Sequence, residues 1–331
     1  MNKVLVVIPH YNKIELLITC VNYLKKQDTD DFDVLIVDNG SNDGSVEFIY
    51  ELTSNNNNYH SILLSENTGF AIAVNKGFKY SIDNNYEYTI LLNNDAYPEK
   101  SFVKNLTKAI DGNKKRFAIS SLMLCYNDKS LIDDFGDEYN ILGYAFQNKT
   151  GHNVDSIEKN EIVFSACGGA SIYNNEIVKN IGYMDEHFFA YLEDIDFSYR
   201  ARLYGYLVET CRNAVCYHLG SATSGSKYNE FKVRISSRNN IYLIYKNMPN
   251  YQIIINFLPI LMGSIVKLIY FITKGFGYEY IVGIIDGFKG ISNINRFDFK
   301  KTNIFNILSI EIDLITNTFK YFSDFLVRKV K

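Results

Sequence analysis

Four short apolar runs punctuate the first hundred residues, and each is closed by a cluster of turn-forming polar residues. The runs cover 4–8, 34–37, 61–64 and 88–92 and lack a polar alternation, as strands buried on both faces do. Between them the helical period appears at 14–26, after Val46 and at 70–80. Strand and helix alternating in this way predict an α/β fold with a mostly parallel sheet flanked by helices. In such sheets ligands bind beyond the carboxyl ends of the strands. Tyr11-Asn12, Asp38-Asn39, Asn67-Thr68-Gly69 and Asn94-Asp95 all fall at those ends, so one polar edge is the expected site.

Past residue 110 the pattern loosens, and 117–163 is irregular. Gly168-Gly169-Ala170 then leads into an apolar strand and a helix near 175–180, with Gly182 as its stop. From Tyr251 the composition changes. The segment 253–272 is nearly all apolar and matches the about 20 residues of a bilayer span. Asn256, Pro259 and Lys267 interrupt it, and a mid-span lysine is costly while a proline kinks a helix. The segments 278–291 and 304–330 alternate apolar and charged positions, and the chain closes on Arg328-Lys329-Val330-Lys331. The expectation is amphipathic helices lying on an anionic membrane surface. A true span at 253–272 and a helical homodimer interface are the alternatives.

Composition narrows the field only modestly. A chain of 331 residues, 47% of them apolar, can bury a large core in two domains or in one with an extension. A formal net charge of −3 gives no electrostatic ground for nucleic-acid binding, and no nucleic-acid signature is present. Cys20, Cys125, Cys167, Cys211 and Cys216 form no CxxC pair and read as reduced thiols. Cys216-Tyr217-His218 lacks the partners of a tetrahedral zinc site. The run at 4–8 is too short for a signal peptide, so the expected localisation is cytoplasmic, peripheral on the inner face of the cell membrane.

Two acidic signatures carry the chemistry. Leu91-Leu92-Asn93-Asn94-Asp95 is an apolar strand ending in an acid, a placement that suits a metal-bridged phosphate. Tyr191-Leu192-Glu193-Asp194-Ile195-Asp196 holds three acids in four residues and suits a general base whose pKa its neighbours raise. Together they point to an enzyme that moves a group off a nucleotide diphosphate. Each has a plainer reading. Asp95 would cap a helix before Pro98, and the acid cluster would be a solvated first turn with Arg200 as the i,i+4 partner of Asp196. Arg200 and Arg202 are open to either diphosphate contacts or surface ion pairs.

Taken in order, these motifs form a pattern that resembles family 2 glycosyltransferases with the GT-A fold, in particular the bacterial rhamnosyltransferase-like branch. The matching stretches are Val7-Ile8-Pro9-His10-Tyr11-Asn12, Val37-Asp38-Asn39-Gly40-Ser41-Asn42-Asp43-Gly44-Ser45, and Asn67-Thr68-Gly69-Phe70-Ala71 with Asn75-Lys76-Gly77. Leu92-Asn93-Asn94-Asp95, Gly182-Tyr183-Met184-Asp185-Glu186, Glu193-Asp194-Ile195-Asp196 and His218 complete the series. The resemblance implies a catalytic domain over 1–245, with a nucleotide-sugar-binding half (1–110) and an acceptor-side half (111–245). The amphipathic helices would follow at 246–331.

The resemblance also implies an inverting glycosyltransferase with a divalent metal, Mg²⁺ or Mn²⁺. Pro9, Tyr11 and Asn12 would line the nucleotide pocket, and Asp38 would bond the base edge. Asn67, Gly69 and Asn75 would help hold ribose and phosphates. Asn93, Asn94 and Asp95 stand at the family's DxD motif, with Asp95 as the metal-binding acid. Asp194 matches the catalytic base, with Glu193 beside it, and His218 matches a metal-ligating histidine of some relatives. Because Asn93 replaces the first DxD acid, the metal would rest on Asp95, the diphosphate, His218 and water. The implied reaction moves one sugar from dTDP-L-rhamnose to a lipid-linked or cell-surface glycan precursor. A UDP-linked galactofuranose, glucose, galactose or N-acetylhexosamine donor is the alternative. The QxxRW motif of processive members is absent, as is the Gly-rich signature of a nucleotidyltransferase. A non-catalytic nucleotide-sugar-binding protein is the remaining reading.

Overall fold

A computed structural model describes residues 3–220 and 228–329, with side chains to 324. The expected basic end, Arg328-Lys329-Val330-Lys331, lies outside the described side chains. The first half is β1 (Val4–His10), α1 (Ile14–Leu24), β2 (Phe32–Asn39), α2 (Ser45–Asn55), β3 (Tyr59–Leu64), α3 (Phe70–Asp83) and β4 (Tyr88–Leu92). Their strands stand in the order β3-β2-β1-β4 and are all parallel. The pleat of β1 divides the core. Val4, Val6 and Ile8 pack with Leu17, Val21 and Leu24 of α1, while Leu5 and Val7 pack with Val74 and Phe78 of α3.

The second half makes the sheet mixed. β5 (Ala96–Pro98), α4 (Phe102–Ile110), β6 (Arg116–Cys125) and β7 (Ile132–Asp134) are followed by the hairpin of β8 (Asp137–Tyr139) and β9 (Ala145–Gln147). β10 (Ala170–Asn174), α5 (Asn175–Ile181), α6 (Glu193–Leu203) and β11 (Leu207–His218) complete the sheet region. β10 lies antiparallel between β4 and β6, and β5 lies antiparallel to β11. The expected parallel sheet therefore holds for the first four strands and for the β6–β11 pair, while β5, β7 and β10 run antiparallel to their neighbours. The reason is topological: Ala170 pairs with Leu92, so the chain enters β10 from the strand-end edge instead of crossing over a face. That entry delivers Gly168-Gly169 to the predicted site.

The C-terminal part is α7 (Glu230–Asn247), α8 (Asn250–Ile255), α9 (Phe257–Thr273), α10 (Gly277–Gly290) and α11 (Ile304–Lys329). It shares a core with the sheet region: Ile195, Tyr199 and Leu203 of α6 pack with Leu243, Met248, Ile310 and Leu314. No helix among the described residues is long and apolar enough to cross a membrane. Lys267, which interrupts the apolar run, faces protein. Its ammonium donates to Gly143 O at 3.3 Å and lies 4.3 Å from the Tyr144 ring centre, and burial lowers its pKa to about 8. The opposite faces stay exposed and apolar, with Leu258, Met262, Ile265 and Ile269 on α9 and Phe305, Leu308, Ile312, Ile315, Phe319 and Phe322 on α11.

One buried ionic network ties α6 to α7. The Asp196 carboxylate accepts from Arg200 Nε (3.0 Å), Lys246 Nζ (3.0 Å) and Asn247 Nδ2 (2.8 Å). Lys246 also holds Asp185 at 2.6 Å; burial opposes ionisation there, but the ammonium outweighs it and lowers Asp185 to about 2. The i,i+4 pair of Asp196 and Arg200 thus forms, but inside the protein. Arg200 goes on to donate to the carbonyls of Ile181 and Tyr183, and Arg202 donates to Val163 O and pairs with Asp313. Neither arginine is a surface ion pair or a free diphosphate ligand. Removing one member of a buried charge network strands the others. Asp196→Ala is expected to lower unfolding free energy by about 3 kcal/mol in urea titrations, with Arg200 and Lys246 left undercompensated.

Candidate active site

The strand-end loops are bonded to one another before any ligand is considered. Asn39 donates to Asn67 Oδ1 and Gly69 O, both at 3.1 Å, and accepts from Thr68 N and Oγ1 at 2.9 Å. Asn12 accepts from Asn42 N at 3.0 Å, and its own amide donates to Ser41 Oγ at 2.8 Å. Asp38 is fully buried; one carboxylate oxygen accepts from Ser41 N at 2.9 Å, and the other has no protein partner among the described residues. A buried acceptor left open at a strand end is a place for a ligand N–H or O–H. Pro9 is half-buried in register with Val37, and Tyr11 is exposed at the rim.

A relay runs beneath these loops. Asn94 Nδ2 donates to His10 Nδ1 at 2.8 Å, which leaves His10 Nε2–H to donate to Ser45 Oγ at 2.8 Å. Ser45 Oγ donates in turn to Asp43 at 2.5 Å. Burial lowers the His10 pKa against the weaker pull of Asp38 and Asp43, so the ring is neutral. Asn94 is therefore a structural link from the end of β4 to β1 and, through His10, to the start of α2.

The next residue, Asp95, meets His218 because of strand register. β5 pairs with β11 so that Ala96 sits opposite His218, and Leu219 N donates to Asp95 O at 3.1 Å. His218 Nε2 lies 3.4 Å from Asp95 Oδ1, and Nδ1 donates to Asp133 at 2.7 Å. Burial opposes a charge on His218, but the two carboxylates outweigh it and raise its pKa to about 10. This donor set fits a divalent cation. A buried carboxylate and an imidazole nitrogen converge, and the other ring nitrogen is held by a carboxylate, as in metal-ligating histidines.

The second acid signature opens α6. Glu193 is buried and Asp194 half-buried. Asp194 accepts from Gly168 N at 3.3 Å and from Ile195 N at 2.8 Å. Burial raises its pKa and these N–H groups moderate the rise, so desolvation does the work expected of the neighbouring acids. Burial and the Asp194 charge hold Glu193 well above the carboxylate range, and Glu193 Oε2 has no protein partner among the described residues. A Cβ on Gly168 would touch Phe70 at 3.3 Å and lie 3.9 Å from Asp194; one on Gly169 would crowd Asn93 Nδ2 at 3.1 Å. The diglycine thus lets the two acidic loops approach from either side.

The Asn75 side chain is engaged by protein groups. Its amide donates to Met184 O (2.9 Å) and Glu186 (3.1 Å) and accepts from Met184 N (3.0 Å), so both polar atoms hold the 184–186 turn. Three further acids stand beside the site, in a stretch without periodicity. Asp133 orients His218, while Asp134 and Asp137 place carboxylate oxygens within 4.8 Å of each other and of the Cys167 sulfur. Their pKa values are raised, chiefly by burial. The string Asp133-Asp134-Phe135-Gly136-Asp137 was the available signal.

Solved structures place this architecture. The mannosyltransferase PcManGT from Pyrobaculum calidifontis, in complex with GDP-Man and Mn²⁺, has a TM-score of 0.55 at 13% identity, covering 90% of this chain and 77% of that one. GalNAc-T7 with UDP, GalNAc and Mn²⁺ gives 0.60 at 11% identity, covering 73% and 47%. S. aureus TarS 1-349 in complex with UDP-GlcNAc gives 0.50 at 18% identity, covering 79% and 69%. At such identities the likeness is one of fold, and the fold is that of the GT-A glycosyltransferases. The profile of glycosyl transferase family 2 matches residues 5–182, more than half of the chain, and the protein belongs to that family. A stretch of 76 residues is 37% identical to the teichoic acid poly(glycerol phosphate) polymerase of Staphylococcus epidermidis, spanning 23% of this chain and 10% of the polymerase.

The neutral His10 carries a pH signature. Its folded pKa lies below the unfolded value of about 6.5, so its contribution to stability is complete above that pH and is lost as pH falls through the folded pKa. Compared by chemical denaturation at pH 7 and pH 5, His10→Gln is expected to show a change in unfolding free energy on acidification that is more favourable than that of wild type, because the His10 loss is removed.

Proposed function

We propose that the protein is an inverting glycosyltransferase that transfers a single sugar from a nucleotide diphosphate to a lipid-linked or cell-surface glycan precursor. The observation that supports it is that Gly168-Gly169 is flanked by Asp194 on one side and on the other by Asn93, two residues before the Asp95–His218 pair, at the carboxyl ends of the parallel strands. The enzyme uses a divalent cation, which Asp95 and His218 would hold and which neutralises the diphosphate when bound.

Inversion needs attack on the anomeric carbon from the face opposite the leaving group. Asp194 takes the proton of the acceptor hydroxyl as the new C–O bond forms. The bond to the diphosphate breaks, and the nucleoside diphosphate leaves with its electron pair. A raised pKa suits a general base working near neutrality, and the N–H groups of Gly168 and Ile195 fix the carboxylate's orientation. Burial and the Asp194 charge push the Glu193 pKa well up, which disfavours a second negative charge beside the base. For the donor, the motif resemblance favours dTDP-L-rhamnose. The TarS likeness favours a UDP-sugar, since that protein is solved with UDP-GlcNAc.

The exposed apolar faces of α9 and α11 support peripheral attachment to a lipid surface, which we place on the cytoplasmic side as part of this reading. Lys267 points inward, so the outward face of α9 is free of charge at its centre, and on α11 the exposed apolar residues recur every three or four positions.

Two measurements test these readings. Incubated with Mn²⁺ and a panel of dTDP-, UDP- and GDP-sugars, wild type is expected to release nucleoside diphosphate from one donor, and chelation to abolish the release. Asp194→Asn should lower kcat by about 1,000-fold with donor binding retained; full activity in that variant removes Asp194 as base. Wild type should co-sediment with vesicles containing anionic lipid, and Ile265→Glu with Ile312→Glu should release it. A wild type that ignores vesicles and runs as a dimer in light scattering assigns the face to a second copy instead.

A further inference from the structure

The segment just before the base is strained. Phe189 (φ 64°), Tyr191 (φ 68°) and Leu192 (φ 69°) all occupy the left-handed half of backbone space, and none is glycine. Phe189 is the centre of a γ-turn, with ψ −61° and Ala190 N donating to Phe188 O at 2.7 Å. Such conformations persist only where the surroundings over-determine them, and they gather at functional sites.

The determinant here is a single side chain on α7. Asn239 is fully buried, and its Nδ2 donates to the carbonyls of Phe188 (2.9 Å), Ala190 (2.9 Å) and Tyr191 (2.7 Å). Arg238 fixes which way that amide points. Its Nε and Nη2 donate to Asn239 Oδ1 at 3.0 and 2.9 Å, and Nη2 also reaches the carbonyls of His187 and Phe188 at 3.0 Å.

The held segment touches both halves of the site. Phe189 O accepts from Phe70 N (2.7 Å) and Ala71 N (3.2 Å), the first amides of α3. A Cβ on Gly69 would meet Phe189 at 2.6 Å, so the donor-side loop is seated directly on this turn. In the other direction, Leu192 O accepts from Asp196 N at 2.9 Å and starts the helix that carries Glu193 and Asp194.

We propose that Asn239, oriented by Arg238, is a positioning residue for transfer: it clamps the strained 188–192 turn so that the donor loop at Gly69 and the base Asp194 are held in one mutual register. The inference rests on the reading of Asp194 as base and of the Gly69 loop as donor-side. It predicts a coupled defect, because one clamp serves both partners of the reaction.

The test compares wild type, Asn239→Ala, Leu192→Gly and the double variant, each corrected for folded fraction by circular dichroism. Asn239→Ala is expected to lower kcat by about 100-fold and to raise the donor KM, since small misplacements of reacting groups cost that much. A merely structural loss lowers kcat through the active fraction and leaves KM unchanged. Glycine adopts the left-handed conformation without strain, so Leu192→Gly in the Asn239→Ala background should recover roughly tenfold in kcat. If Asn239→Ala fails to fold, the double variant is compared with Leu192→Gly alone; a lower kcat and higher donor KM support the clamp, and equal values overturn it. An active wild type alongside unchanged kcat and KM in folded Asn239→Ala overturns this inference alone. A wild type inactive with every donor sinks the functional reading and this inference with it.

Discussion

The reaction end of this enzyme depends on a buried anion, Asp196. A carboxylate removed from water demands partners, and Arg200, Lys246 and Asn247 supply them from α6 itself and from α7. Satisfying that demand fixes the start of α6 against α7, and with it the two residues just upstream, Glu193 and Asp194. Lys246 extends the constraint to Asp185, and Arg200 extends it to the carbonyls of Ile181 and Tyr183. The connection from α5 to α6 is thereby anchored at its beginning by ions, and Asn239 anchors its end. A polypeptide with three left-handed residues in four can be held still only by such anchors.

The site divides into two electrostatic territories. The loops after β1, β2, β3 and β4 are dominated by neutral amides: Asn12, Asn39, Asn67 and Asn94, with a neutral His10 beneath them. Across the site Asp133, Asp134, Asp137, Glu193 and Asp194 gather, and burial raises the pKa of Asp134, Asp137, Glu193 and Asp194. His218 lies at the boundary between Asp95 and Asp133. A polyanionic donor gains little attraction from neutral amides, which hold it by direction instead of charge. Affinity for its diphosphate is then left to the cation that the Asp95–His218 pair suits.

Much of this was legible in the residues. Four buried parallel strands and the polar edge at their ends follow from unbroken apolar runs closed by Asn, Asp and Gly, and the two acidic signatures do meet. What could not be read was anything that depends on long-range pairing. The antiparallel entry of β10 has no local signal, so the sheet was expected to be more parallel than it is. Asn75 and Arg200 lie within recognisable motifs, yet their polar atoms are bonded to backbone more than fifteen residues away. Asp194 was expected to owe its raised pKa to neighbouring acids; burial does this, and Asp196 is neutralised by its own cations. Asp133, Asp134 and Asp137 sit in a stretch without periodicity, where only the acids themselves could have drawn notice.

The third core joins parts of the molecule that composition would separate. Ile195, Tyr199 and Leu203 of α6 are packed with Leu243 of α7, with Met248 just beyond its end, and with Ile310 and Leu314 of α11. Helices that share one apolar core open together or not at all, so α6, α7 and α11 behave as one cooperative unit in local unfolding. Any partner that settles on the outer face of α11 lowers the frequency of that opening by mass action. Association at the surface and persistence of the catalytic geometry are thus drawn from the same free energy.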